Sequence, residues 1–282
     1  MNTENKTYQE KVDYAIKLLR TVSSTANQVI ELSYSGGKDS DVILHLAHQA
    51  GIAIRPIYKN TTIDPPGTLK HCRDNNVEIF NPKQTFLQQI ANKGMPTRRA
   101  RFCCSTLKEY KIMNYAIQGI RRSESVKRAK NYRADEPIIC RLYGSKKKHA
   151  NIILPILNWT DEDVERYITE NKIQCHPLYY NQDGSFNVKQ RLGCLGCPLQ
   201  GDQGVADFKT YPKLLKAISK QLQIWWTNHP NTQSHKKFRN IYDIMAHNLM
   251  FRTYDKFYRT TYTLFEIKDW QKELSSMFNI EL

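Results

Sequence analysis

Acidic residues are scarce in this chain. Twenty-seven Asp and Glu stand against 42 Lys and Arg over 282 residues, a formal net charge of +15. An excess of that size points to anionic partners, nucleic acid or phosphorylated small molecules, unless the charge only solvates the surface. No uncharged apolar stretch approaches the ~20 residues a membrane helix needs, and no charged leader with an apolar core precedes the first strand-like run. A membrane is therefore excluded as a partner, and a cytoplasmic location is expected. Cysteine is neither dense nor even in number. Seven thiols in a chain of this size argue for reduced cysteines or metal ligands over a disulfide framework. Internal repeats and low-complexity linkers are also missing.

Two common nucleotide motifs are absent from the most polar knot of the sequence, within "ELSYSGGKDSDVILHLAHQ", Glu31 to Gln49. Asp39 follows Lys38 where a Walker A loop needs Ser or Thr, and the turn lacks the G-x-G-x-x-G spacing. What is present is a strand-like run (Val29, Ile30, Leu32, Tyr34), a turn, and a helical i, i+3, i+4 pattern (Val42, Ile43, Leu46, Ala47). Gly36 and Gly37 permit φ > 0 and a close backbone approach, and the new helix offers unpaired N–H groups and a positive dipole end. Such a turn suits phosphate. Ser35 and Ser40 can add hydroxyl donors, Lys38 a mobile cation, and Asp39 either a helix cap or a magnesium ligand. The plainer alternative is a serine-glycine turn with a capping aspartate.

Around this turn the periodicity predicts an amphipathic helix over 7–21, a second strand in "IAIRPIYKN" and an apolar segment at Val77 to Phe80. This alternation predicts an α/β fold, a doubly wound and mainly parallel sheet with helices on both faces. Ligands in such sheets bind beyond the carboxyl ends of the strands, where Asp64 and Arg121 fall. From "TFLQQI" to "KEYKIMNYA" the reading is helical, and "YAIQGI" is a buried strand. A polar, basic stretch from Arg121 to Ala150 follows, and Thr160 then caps a helix with acidic residues in its first turn. Beyond Pro198 the composition changes, and 205–282 contains three helix-like runs rich in aromatic and basic residues. The expected organisation is an N-terminal helix at 1–27, a ligand-binding domain at 28–200 and a helical region at 201–282.

Cys103-Cys104 and Cys194-x-x-Cys197 supply four thiolates, the number that closes a tetrahedral zinc site or a cubane iron-sulfur site. Structural zinc usually takes two C-x-x-C knuckles, which this arrangement is not; zinc and unligated thiols remain the alternatives to a cluster. Gly193 and Gly196 would allow a tight turn with N–H groups aimed at sulfur, and Arg98, Arg99 and Arg101 adjoin the first pair. Cys72, Cys140 and Cys175 have no such partners and read as small buried hydrophobes.

Ser35-Gly36-Gly37-Lys38-Asp39-Ser40 resembles the pyrophosphate loop of the adenine-nucleotide alpha-hydrolase superfamily, the PP-loop ATP pyrophosphatases. The two cysteine pairs resemble the cluster-binding cysteines of iron-sulfur adenylyl-sulfate reductases. "GIRRSESVKRA" resembles an arginine-rich segment of the same family, and "PILNWTDEDVERYI" and "HPLYYNQDGS" resemble the segments leading into the Cys-x-x-Cys pair. The resemblance, over about 28–200, is to the phosphoadenosine phosphosulfate (PAPS) reductase family. It implies an adenine nucleotide, ATP or adenylyl sulfate, at Ser35 to Ser40, Asp64, Arg121, Arg122 and Arg128. It further implies Mg2+, Lys38 and Asp39 as catalytic residues, and a [4Fe-4S] cluster on Cys103, Cys104, Cys194 and Cys197.

Two features depart from the reductases. Their nucleophile is a cysteine near the C-terminus, whereas Cys197 is the last cysteine here. The loop is also complete, the form associated with cutting ATP between its α and β phosphates. Both shift the resemblance toward the sulfur-transfer protein of DNA phosphorothioation systems and the iron-sulfur thiolases of transfer RNA. The implied function is ATP-dependent adenylation and sulfur transfer to a nucleic acid or nucleotide, with DNA or RNA and a sulfur-donor or electron-donor protein as partners. A sulfonucleotide reductase using an external thiol, and a non-catalytic nucleotide-binding or DNA-binding component of a larger assembly, are the other readings. "SHKKFRNIYDIMAHNLMFRTYDKFYRTTY" interleaves cations and rings as a nucleic-acid surface would, although Tyr254, Phe257, Tyr258 and Tyr262 also have the spacing of a helix core.

Overall fold

The computed structural model describes residues 6–143 and 148–282; residues 1–5 of the expected N-terminal segment and 144–147 of the basic stretch lie outside the described residues. In chain order the first elements are α1 (Tyr8–Ala26), β1 (Ile30–Tyr34), α2 (Lys38–Ala50), β2 (Ile54–Lys59), α3 (Thr68–Asp74), β3 (Glu78–Phe80) and α4 (Phe86–Lys93). Then follow β4 (Tyr115–Ile117), α5 (Val126–Asn131), β5 (Ile138–Tyr143), β6 (Lys148–Ile153) and α6 (Asp161–Glu170). The last six are α7 (Asp202–Thr210), α8 (Pro212–Asn228), α9 (Gln233–Lys237), α10 (Ile241–Met250), α11 (Tyr254–Thr261) and α12 (Trp270–Phe278). Contacts divide the chain into two units: Met1–Asn60, Asp64–Asn81 and Ser105–Gly193 form the first, and Thr61–Ile63, Pro82–Cys104 and Cys194–Leu282 the second. The division falls before Cys194, so the Cys-x-x-Cys pair groups with the helices that follow it.

The first unit is a six-stranded sheet in the order β3-β2-β1-β4-β6-β5, parallel except for β5, with helices packed on it. Chain order reverses between β1 and β4, which opens a crevice beyond their carboxyl ends. Ser35 leaves β1 there, and Gly119 to Arg121 leave β4. The central strand β1 is buried along its length, Ile30 and Leu32 being almost fully inaccessible. Glu31 on that strand is also fully buried, yet each carboxylate oxygen is engaged. Oε1 accepts from the Ser33 hydroxyl (3.0 Å) and Lys59 Nζ (3.1 Å), and Oε2 from the Met113 N–H (2.9 Å).

α1 belongs to this unit. Thr7 and Glu10 form its capping box, Val12, Ala15, Leu19 and Val22 face the core, and Asn27 in the left-handed region ends it. Val22 extends the apolar face past the expected end at 21. Lys11, itself buried, pairs with Asp163 at 2.6 Å. Thr160 caps α6 as its sequence implied, through a reciprocal bond with Asp163.

Three expectations are corrected. The helical reading from "TFLQQI" to "NYA" breaks after α4, because Gly94 takes a positive φ of 80° and Pro96 follows; Lys111, at φ 53°, is likewise non-helical. The basic stretch contains the strand β5, paired antiparallel with β6 from Ile138↔Ile153 onward; as a half-exposed edge strand it carries Arg141 among its apolar residues, which obscured it. The C-terminal runs form six helices, because Asn240, Thr253 and Asp269 each supply a side-chain cap that starts a new one.

The second unit packs α4 against α8, with α7, α10 and α12 around them. Phe208, Leu222, Met245, Phe257 and Trp270 are buried in it. Phe257 therefore serves the core while Tyr258 is half exposed. Among the described residues no helix is long and apolar enough to cross a membrane.

Glu31→Ala leaves the Lys59 ammonium buried without its carboxylate and is expected to cost about 3–5 kcal/mol. Thermal melts will show a large drop, and the apolar pair Glu31→Leu with Lys59→Met will recover most of it. A single variant as stable as wild type would contradict this placement.

Candidate functional site

The turn after β1 is built for an anion. Gly36 sits at φ 77°, and a Cβ there would lie 3.1 Å from the Thr68 methyl and 3.3 Å from Leu192. Gly37 is the N-cap of α2 and uses no side chain for capping, so the sequence-based reading of Asp39 as cap is corrected: Asp39 is the second residue inside the helix. Ser40 donates its hydroxyl to the Gly37 carbonyl at 2.6 Å, and Ser35 Oγ lies 3.3 Å from Ser40 Oγ and 3.4 Å from the Gly37 N–H. These contacts fix the turn while the first N–H groups of the helix keep no carbonyl one turn earlier.

Lys38 is buried, with its ammonium 3.3 Å from the Gln190 carbonyl and 3.9 Å from the Asp39 carboxylate. Burial lowers its pKa, Asp39 opposes that, and the charges of Arg121 and Arg191 lower it further. Arg121, 1% exposed, donates from Nε to Asp39 at 2.7 Å and from Nη2 to Asp161 at 2.8 Å. Its Nη1 reaches the Ser123 hydroxyl (2.9 Å) and the Trp159 carbonyl (3.5 Å). The guanidinium thus orients Asp39 from beneath. Its expected place is at the ligand; in this structure these donors bond within the protein. Gly119 makes this approach possible, since a Cβ there would stand 2.9 Å from the Asp39 carbonyl oxygen.

The remaining expected residues are placed around this centre. Arg128 pairs with Glu124, and its pKa is lowered by burial and by the charges of Arg191 and Arg121. Arg122 donates to the Ala129 carbonyl at 3.4 Å. Asp64, beyond β2, accepts from the Tyr58 hydroxyl. Lys38, Asp39, Arg121 and Arg128 form one electrostatic group. Sequence reasoning missed Gly119, Asp161, Arg191 and Tyr179. Arg191 joins the group and donates to the Glu124 carbonyl at 2.7 Å. Its signal was a cation three residues before Cys194, and that of Asp161 was a first-turn carboxylate read only as a helix-dipole partner.

A buried polar cluster lies behind α2. Asp41 accepts from Tyr34 and from His71 Nε2 (2.9 Å), and the Cys175 thiol also faces its carboxylate. Burial raises its pKa against the opposing pull of His71. His176 Nε2 lies 3.5 Å from the Thr68 hydroxyl, and burial lowers the pKa of that histidine.

The four paired cysteines all fall in the second unit and are part-buried. The hydrogen bond to Cys104 and burial push the Cys103 thiol up, and the fields of Cys104, Cys194 and Cys197 add to that, so all three other sulfurs act on it. Cys103 and Cys104 lie on a short helical stretch that continues as a π-helical turn from Cys104 to Lys108. At the other pair, the Leu195 N–H donates to the Ile63 carbonyl (2.8 Å) and the Gly196 N–H to Asp207 (3.0 Å). Gly196, at φ 67°, presses on Phe208, whose ring a Cβ would meet at 2.1 Å. Only Gly196 of the two expected turn glycines takes a positive φ. Among the described residues no three His, Cys, Asp or Glu side chains are arranged to hold a metal ion.

Gly119→Ala is expected to lower stability by about 1–3 kcal/mol, the cost of overpacking against backbone. A thermal midpoint equal to wild type would mean that Gly119 and Asp39 are not so close.

Residues 29–200 match the family model of the phosphoadenosine phosphosulfate reductase domain. An uncharacterised protein of Methanocaldococcus jannaschii is 31% identical over 199 residues, 65% of this chain, which spans only 44% of that protein's length. An adenosine 5'-phosphosulfate reductase of Streptomyces coelicolor is 28% identical over 198 residues, 65% of this chain and 77% of that one. Sulfate adenylyltransferase subunit 2 of Marinobacter nauticus is 27% identical over 213 residues, 64% and 69% of the two chains. The matched span takes in the turn after β1, Arg121 and all four paired cysteines. With more than half of its length inside that span, the chain belongs to the phosphoadenosine phosphosulfate reductase domain family.

Proposed function

We propose that this protein is an ATP pyrophosphatase-type sulfurtransferase: it binds ATP with Mg2+ across Ser35 to Ser40 and adenylates an oxygen of a nucleic acid or nucleotide so that sulfur can replace it. The observation that carries the reading is the buried Lys38 ammonium beside an Asp39 fixed by Arg121, at the N-terminus of α2. Helix N–H groups and Lys38 would hold the β and γ phosphates, and Asp39 is the carboxylate available to the magnesium they carry. The acceptor oxygen attacks the α-phosphorus and pyrophosphate leaves with Lys38 neutralising its charge. A sulfur nucleophile from an external donor then displaces AMP together with that oxygen, and with sulfide as donor no electrons are exchanged.

Cys103, Cys104, Cys194 and Cys197 fit a [4Fe-4S] cluster better than a single ion. Four soft donors fall in one unit, the fields of Cys104, Cys194 and Cys197 all reach Cys103, and a cubane spaces its thiolates more widely than one tetrahedral ion does. Bound there, the cluster would supply a soft site for the incoming sulfur. Among the other thiols, burial pushes Cys72 up to about 12 and raises Cys175 as well, so neither is a ready thiolate for attack on adenylyl sulfate. Cys140, expected to be buried, is exposed.

Protein prepared anaerobically is expected to carry about four irons per chain, and to release pyrophosphate from ATP in the presence of acceptor and sulfide. Cys→Ser changes at the four positions will remove the iron, and Lys38→Ala will weaken ATP binding in calorimetry by a factor of ten or more, about 1.4 kcal/mol for each tenfold. Sulfite release from adenylyl sulfate without pyrophosphate release from ATP would establish the reductase reading instead.

The nucleic-acid acceptor rests on the exposed Lys236, Lys237, Arg252, Lys256 and Arg259. Arg239 is less available, because Asp243 holds its guanidinium at 2.7 and 2.9 Å. In salt titrations of DNA binding, Lys236→Ala with Lys237→Ala should reduce the log-log slope by about one unit for each lost phosphate contact. An unchanged slope, or no binding at low salt, removes nucleic acid and leaves a small nucleotide as acceptor.

A further inference from the structure

Tyr179 stands at the mouth of the turn without a role in the chemistry above. It closes the short turn Pro177–Tyr179, is 2% exposed, and its own carbonyl is held by the Asn187 N–H at 2.7 Å. The phenolic oxygen accepts from the Leu192 N–H at 3.3 Å and also faces the backbone N–H of Lys38. Lys38 Nζ lies 5.3 Å from the centre of its ring, and a Cβ on Gly37 would stand 3.2 Å from its hydroxyl. The oxygen thus sits within the anion-binding turn, touching both residues that begin α2.

The hydroxyl is satisfied only on one side. It receives the N–H groups of Leu192 and Lys38, and among the described residues no hydrogen bond has it as the donor. Buried polar hydrogens ordinarily find acceptors, and burial raises the pKa of this phenol, so the proton stays in place at neutral pH. Tyr180, the next residue, shows the contrast. Its hydroxyl accepts from the Cys175 N–H at 3.2 Å and takes no part in the turn.

We propose that Tyr179 is a phosphate-binding residue of the turn, its O–H donating to an oxygen of the phosphate seated over Gly37 and Lys38. The proposal rests on the reading of Ser35 to Ser40 as a polyphosphate site and adds a neutral donor to its cation and backbone donors. The ring is held beforehand by Phe186 (5.9 Å between centres) and by the Lys38 ammonium. Donation therefore needs no rearrangement of the side chain, and the N–H groups that polarise the oxygen strengthen it as a donor.

The test is calorimetry with inorganic pyrophosphate, and separately with adenosine, on the full chain. Tyr179→Phe keeps the ring and is expected to weaken pyrophosphate about tenfold, the worth of one hydrogen bond to a charged group. Adenosine affinity will stay the same, and the control Tyr180→Phe will leave pyrophosphate unchanged. Site-specific 3-fluorotyrosine at position 179, a more acidic phenol of nearly the same shape, should tighten pyrophosphate binding, which keeps the test open if Tyr179→Phe misfolds. Unchanged pyrophosphate affinity in Tyr179→Phe while Lys38→Ala loses it would overturn the role of Tyr179 alone; so would equal losses in both Tyr→Phe variants. Failure of the wild-type chain to bind either pyrophosphate or ATP would overturn the polyphosphate site itself.

Discussion

A single buried guanidinium sets the geometry on which the turn after β1 depends. Arg121 leaves β4, passes beneath α2 and ties Asp39 to Asp161, so one side chain joins two sheet-edge segments and the start of α6. Its cost is desolvation of a full charge, and two carboxylates together with neutral acceptors offset it. A lysine could not reach both carboxylates in the same plane, because the bidentate fork is a property of the guanidinium. Gly119 is the necessary counterpart: without a bare backbone at that position, β4 and α2 could not close to the distance that the Arg121 bond to Asp39 requires.

Much of this was legible in the sequence, for identifiable reasons. The turn from Ser35 to Ser40 announces itself because φ > 0 and close backbone approach leave a glycine signature, and Thr160 and Asp163 announce α6 because capping is local chemistry. The partners of Asp39 were not legible. Arg121 was singled out at the sheet edge, but its bond to Asp39, 82 residues away, was not, because a tertiary ion pair leaves no local signal. Tyr179 is hidden for the same reason, one tyrosine among 16. Edge strand β5 escaped notice because half of its surface faces solvent, and the six C-terminal helices merged into three runs because their caps fall inside amphipathic patterns of similar phase.

The positive charge of the chain is not one feature but several. Lys11, Lys59 and Arg121 are buried and spent on carboxylates of the fold. Lys38 and Arg128 have their pKa values lowered by burial first, and the charges of Arg121 and Arg191 lower both further. Lys236, Lys237, Arg252, Lys256 and Arg259 face solvent on the helical unit. Net charge alone therefore overstates how much of this protein is available to a partner.

The second unit is assembled from three separate stretches of chain, and this sets an order of events during synthesis. Cys103 and Cys104 leave the ribosome about 90 residues ahead of Cys194, a wait of several seconds at roughly 5–20 residues per second. Through that interval the adjacent thiols lack the later helices of their unit, and three of the six sheet strands, β4, β5 and β6, are still being made. The two cysteine pairs can therefore meet only late in synthesis, after Cys194 and Cys197 have been made.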